Sequence, residues 1–278
     1  MWQWLFSDDK SQMYLHKYAE MYPGAVDVAN ILASGHESLL RRIIAWQSVV
    51  YMDKSLPGWL QDSLINILHL ITECGIWAQA RPPIGDWCRK EDGLFGLNEC
   101  PRSCPDMQCV ACDWYGNIPL VYFFPDTVLS TLRGYKAYQN PNGCTGNFGA
   151  LYSLSTPPKA EMRGQFNLDG PSLVDMIDRM WMCTGNDDIL REFYDCAKRV
   201  TTFTMNLRPD YGPKQVLGVH PNGDNWFQSC DIRGLSAHVG GVRMAGLRMV
   251  RVHPKLMVII TTHSFLTTKT RKEEKARK

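Results

Sequence analysis

Two stretches of this sequence set acidic side chains among aromatic and small residues. The first, residues 93–100, reads Gly-Leu-Phe-Gly-Leu-Asn-Glu-Cys and carries Glu99; Asp113 follows fourteen residues later, in Cys112-Asp113-Trp114-Tyr115. The second, residues 221–231, reads Pro-Asn-Gly-Asp-Asn-Trp-Phe-Gln-Ser-Cys-Asp and carries Asp224 and Asp231. Two carboxyl groups placed on either side of one bond can divide the work of breaking a glycosidic linkage. One protonates the leaving oxygen, and the other attacks the anomeric carbon or activates water. Acids distant in sequence do this only where the fold gathers their segments. Most acids in such loops simply meet solvent, so the pair needs support from elsewhere in the chain.

The same region concentrates thiols. Cys100, Cys104, Cys109 and Cys112 follow a C-x3-C-x4-C-x2-C pattern, and four thiolates at such spacing can hold zinc tetrahedrally. Packed free thiols and disulfides are the competing readings. The chain has ten cysteines, but its first ten residues have neither a basic start nor an apolar core of the secretory kind. Reduced thiols in a cytosol-like compartment are therefore the expectation, with no cofactor required. Trp114 and Trp226 are candidates to stack on a sugar ring, with anchoring of the core or a loop as the alternative. Asp224 rivals Asp231 as a proton donor, and Asp106 rivals Asp113.

Composition limits the rest. With 278 residues and 45% hydrophobic side chains, the chain can bury a sizeable core and is not expected to be disordered. Thirty basic against 28 acidic residues leave a formal charge of +2, too little for a field that would attract nucleic acid. No apolar run reaches the ~18 residues of a membrane span. Residues 251–278 differ in character: an apolar run gives way to a stretch from Lys269 to Lys278 with six basic residues and two glutamates. They are read as a tail outside the domain, and residues 1–250 as one helical domain.

The elements that would position these acids are helices. Apolar side chains recur at helical spacing over residues 27–52, 57–74, 118–139, 169–183 and 189–207, with a short helix at 11–20. Residues 236–250 form a helix rich in small residues (Ala237, Gly240, Gly241, Ala245, Gly246) that permits close packing. Pro119 is placed early in its helix, and Pro125 at a kink or cap. Residues 81–112 and 211–231 show no convincing period and read as long loops, which in compact domains usually carry function. The pattern is helix after helix, the rhythm of a toroid of α-hairpins.

The order of these segments resembles the catalytic domain of glycoside hydrolase family 116, the family of the non-lysosomal glucosylceramidase. The resemblance begins at Ala45-Trp46-Gln47-Ser48 and Ser55-Leu56-Pro57-Gly58-Trp59. It continues through Asn66, Leu97-Asn98-Glu99-Cys100, the run from Asp113 to Pro125, and Thr184-Gly185-Asn186-Asp187. It ends at Ser229-Cys230-Asp231 and the small-residue helix, and so spans roughly residues 40–250. It implies an all-α (α/α)6 toroid, incomplete in this chain, and a retaining mechanism acting on a β-glycoside. Glu99 would then be the nucleophile and Asp231 the general acid and base; Asp113, Ser229, Trp226 and Asp224 would meet the carbohydrate. The family's Tyr-Asn-Thr is replaced by Cys109-Val110-Ala111-Cys112, and its acid/base Tyr by Cys230. Neither the family's β-rich leader nor its final hairpins are found, so an open, poorly stable and weakly active ring is the expectation. A non-catalytic scaffold with a zinc staple is the alternative, as is an inverting (α/α)6 enzyme, whose carboxyl groups stand about 6.5–9.5 Å apart rather than about 5–5.5 Å.

Overall fold

A computed structural model describes residues 15–81, 87–100, 104–107, 109–146, 168–207, 224–227, 230–232, 237 and 240–250; at 98–100, 104–107, 224–227 and 230–232 it describes the backbone alone. These residues are mostly helical, as expected. Their contacts group the chain into two units, one drawn from Met1–Gly134 and Phe148–Lys159, the other from Tyr135–Asn147 and Ala160–Lys278. The 251–278 tail lies outside the described residues.

In the first unit, a 3-10 turn at Lys17–Glu20 precedes the long helix α1 (Ala25–Tyr51), then α2 (Gly58–Asn66) and α3 (His69–Glu73). The turn between α1 and α2 is fixed by side chains. Asp53 Oδ1 accepts from the Ser55 backbone N–H and hydroxyl at 2.8 and 2.6 Å, and Gln61 Nε2 donates back to Asp53 O at 2.7 Å. Pro57 is the N-cap residue of α2, where its missing N–H costs nothing. Along α1 one line of side chains, Val28, Leu39, Trp46 and Val50, is partly or fully buried, and Trp46 meets Phe123 edge-on at 5.1 Å. The apolar residues beside that line, among them Ile31, Leu40 and Ile44, are about half exposed.

The expected single helix over 57–74 is instead α2 and α3. Leu70 and Ile71 donate to carbonyls only three residues back, and these tighter bonds interrupt the α ladder. The expected loop over 81–112 holds strands. β1 (Gly75–Ala78), β2 (Leu94–Cys100) and β3 (Cys104–Met107) form an antiparallel sheet in that order, with Gly75 opposite Leu97 and Ala78 opposite Leu94. The β1–β2 connection turns at Gly93, whose φ of +66° suits glycine, and a Cβ there would lie 2.5 Å from Ala78 O. Trp77 Nε1 and Lys17 Nζ secure the same turn by donating to Asp92 O and Lys90 O, both at 2.7 Å.

Two helices follow where one was expected over 118–139. α4 (Val110–Phe123) begins eight residues earlier, and Pro119 lies inside it. α5 (Pro125–Ala137) follows after Phe124, whose φ of −140° and ψ of 57° leave the helical region, as the residue before a proline tends to do. Within the first unit α5 is bonded to β2. Ser130 Oγ donates to Gly93 O at 2.7 Å and accepts from Phe95 N–H at 3.3 Å, and Thr131 Oγ1 donates to Phe95 O at 2.9 Å.

The second unit is built on an α-hairpin, α6 (Asp169–Thr184) and α7 (Asp187–Asn206). Leu173, Ile177 and Met180 face Ile189, Phe193, Cys196 and Val200 in its core, all at most 2% exposed. The sequence places both helices to within two residues. Two adjacent residues make the turn. Gly185, at φ +63°, ends α6 with its N–H on Trp181 O, and Asn186 caps α7 through Oδ1, which accepts from Asp188 N–H at 3.0 Å. The expected loop over 211–231 contains a second correction, the antiparallel pair β4 (Asp224–Phe227) and β5 (Cys230–Ile232). Residues 240–250 form the helix α8, and its small residues do permit close packing: a Cβ on Gly246 would lie 3.3 Å from Pro171 Cα of α6.

Candidate active site

Asp113 sits in the first turn of α4 and is 3% exposed, on a helix whose other buried residues are apolar except for Asn117. Asn117, one turn further on, is 5% exposed on the same helix face. Polar side chains stacked at this spacing in a buried position have lost water, so they must meet other polar groups. Both line a shallow pocket, open to one side and with room for about one water molecule inside (about 10 Å³), with Phe95 and Leu97 of β2 and Val128 and Thr131 of α5. The wall is thus largely apolar, with an acid and an amide at one end.

Glu99 lies in β2, two residues beyond Leu97, in the strand that forms one wall of this pocket. The β2–β3 register is irregular between Asn98 and Cys100, so Glu99 sits at the irregularity itself. Such interruptions are common beside functional sites because they re-aim a side chain. The Glu99 side chain is outside the described residues. The strand bearing Glu99 and the helix bearing Asp113 therefore border one pocket, although the sequence reading put Glu99 in a loop.

Two features shape α4 around Asp113. Its N-cap is Cys109, which makes no side-chain capping bond, and the Asp113 N–H closes the first turn on Cys109 O at 2.9 Å. Pro119 removes the donor that would reach the Tyr115 carbonyl, which interrupts the helix ladder just past Asn117. Trp114 is half-buried, with its ring 4.7 Å from that of Tyr115, and is not one of the residues lining the pocket.

In the second unit, Asp231 is the middle residue of β5, and β4 carries Asp224 and Trp226. Asp224 pairs with Ile232 and Phe227 with Cys230, so the two rival acids share one hairpin. Ser229 lies outside the described residues, as does the Asp231 side chain.

Cys100 and Cys104 are Cα partners across β2 and β3. Cys109 is buried and Cys112 half-buried, both without a disulfide. Among the described residues no group of three or more His, Cys, Asp or Glu side chains could hold a metal, the side chains of Cys100 and Cys104 lying outside that set. Asp106 is in β3, also with its side chain undescribed. Among the described residues, no helix is long and apolar enough to cross a membrane.

Sequence reasoning missed Asn117 and Thr131. The signal for Asn117 was available, because Asp113 and Asn117 are four apart in a stretch that is otherwise strongly apolar. It was hidden by starting that helix at residue 118. A scan against models of known protein families finds none that matches this chain.

Proposed function

We propose that this chain is the helical part of a retaining β-glycoside hydrolase of the kind its sequence resembles, with its hairpins arranged as part of an (α/α)6 ring. Glu99 is the nucleophile, Asp231 the general acid and then base, and Asp113 a carboxylate that grips a sugar hydroxyl. Asn117 joins Asp113 in that contact. The observation that carries the reading is the pocket of the first unit, where buried Asp113 and Asn117 stand opposite the strand bearing Glu99. An acid and an amide set in an apolar wall are the kind of polar groups that orient a small hydroxylated ligand. The α6–α7 hairpin supports the ring arrangement.

The test is release of p-nitrophenol from aryl β-glucoside and β-xyloside by the chain, by a form extended to close the ring, and by Glu99→Gln in each. Glu99→Gln should abolish turnover while the melting temperature holds. Azide should restore product formation in Glu99→Gly with inversion at the anomeric carbon. A folded, completed ring that hydrolyses nothing on a broad panel of glycosides would end the proposal.

A further inference from the structure

The second unit buries a cation. Arg243 of α8 is 3% exposed, and its Nε, Nη1 and Nη2 atoms have no hydrogen-bond partner among the described residues. A guanidinium gives up favourable hydration on burial, and native folds return it through ion pairs or hydrogen bonds. Burial lowers its proton affinity. Its side chain lines a pocket where three helices meet. Pro171 comes from the first turn of α6, Thr201, Thr204 and Met205 from the end of α7, and Gly246 from α8. The pocket is open on one side and has about 10 Å³ of room inside, enough for one particle of about the size of a water molecule.

The chemistry of this junction is asymmetric. The first turn of α6 presents the positive end of a helix, and buried Asp169 in that same turn offsets it, so the guanidinium is the site's own positive group. The last turn of α7 opposes it in part, but the Thr204 hydroxyl is committed to Val200 O at 2.9 Å. Thr201 brings a further hydroxyl, and Pro171 and Met205 are apolar. One guanidinium matches one negative charge, and a small space with apolar walls suits a compact, weakly hydrated ion.

We propose that the junction of α6, α7 and α8 is a binding site for a compact monovalent anion, a halide or the carboxylate of a formate-sized acid, held by Arg243. The occupied site ties the three helices together. The proposal is independent of the hydrolase reading.

The experiment measures melting of the full chain against sodium chloride, sodium formate and sodium sulfate, beside Arg243→Met and Arg243→Lys, and locates bromide by anomalous diffraction. The melting temperature of the parent should rise on the order of 3 °C per tenfold increase in chloride or formate above the dissociation constant. Arg243→Met should lose that slope and still fold, because it removes a buried charge rather than a pair. Sulfate should act equally on both. A steeper response to formate than to chloride in the parent, lost in Arg243→Lys, assigns the site to carboxylates, whose two oxygens match the guanidinium fork. A chloride response kept in Arg243→Lys assigns it to halides. Equal slopes in parent and Arg243→Met overturn the proposal. So does bromide absent from Arg243, or bromide present there without a difference in slope, which would mark an adventitious ion only.

Discussion

Asp113 and Asn117 are the residues on which a functional role can be separated from a structural one. If they grip a sugar, Asp113→Asn should lower kcat/KM on the order of 100-fold in the ring-completed form. Asn117→Leu should lower it less and raise KM. A purely structural role would instead shift the urea midpoint and leave kcat/KM of the folded fraction unchanged. The thiols give a second prediction. Burial, and secondarily the nearby Asp169, pushes the Cys144 thiol up to about 12, and burial pushes Cys196 to about 11, against an ordinary 9. Iodoacetamide at pH 8 should leave both unmodified in the native chain and alkylate them in urea, because the thiolate is the nucleophile. A raised folded-state value means that the folded state holds its proton longer. The associated stability is thus complete below the ordinary 9 and is lost as pH climbs toward about 11 or 12. Parent and Cys196→Ala should accordingly converge in relative stability between pH 8 and pH 11, measured by urea titration.

At the scale of elements, the sequence is most legible where a single period runs uninterrupted. α6 and α7 show it, with Leu173, Ile177 and Met180 on one helix and Ile189, Phe193, Cys196 and Val200 on the other. α1 is legible for the same reason, though its pattern also contains apolar residues that stay exposed. β1, β2 and β3 are four, seven and four residues long, and Gly96, Asn98, Glu99 and Pro105 break any alternation. These strands are held by pairing with one another, and β2 also by long-range bonds from Ser130 and Thr131, and such bonds leave no mark on local sequence. The start of α4 was hidden by Pro119, which reads as a first-turn residue and in fact lies within the helix. The candidate site was correspondingly half legible: Asp113 could be read, Asn117 was obscured by the misplaced helix start, and Glu99 was assigned to the wrong kind of element. The α6–α7 turn yields a direct test. Asn186→Ala should cost about 1 kcal/mol through the lost cap. Gly185→Ala should cost a similar ~1 kcal/mol from backbone strain alone, since a Cβ there meets nothing within 4 Å. Gly185→Asn should cost less than Gly185→Ala, because asparagine tolerates that backbone region, with urea denaturation as the measure for all three.

For the whole molecule, the balance of charge and the open side of α1 act together. With a formal charge of +2 and an isoelectric point near 8.0, the chain has little self-repulsion at neutral pH. Ile31, Leu40 and Ile44 meanwhile expose 48%, 56% and 53% of their surface. Solubility should be lowest near pH 8 and rise toward pH 6. The triple variant Ile31→Lys, Leu40→Glu, Ile44→Lys should raise it further without changing the far-ultraviolet circular dichroism, because none of the three is a core residue. If that variant loses helix, these side chains are buried in solution by contacts of their own. The two-residue turn between α6 and α7 has a further consequence, for the order in which the chain becomes ordered. Two helices joined so closely find each other after only a short search, whereas the pairing of β1 with β2 or the bonds from α5 to β2 must close longer segments. During synthesis, residues 169–206 can therefore dock soon after they leave the ribosome, whether or not earlier segments have settled. In refolding experiments, substitutions at Ile177 or Phe193 should slow folding, while substitutions at Thr131 should chiefly speed unfolding.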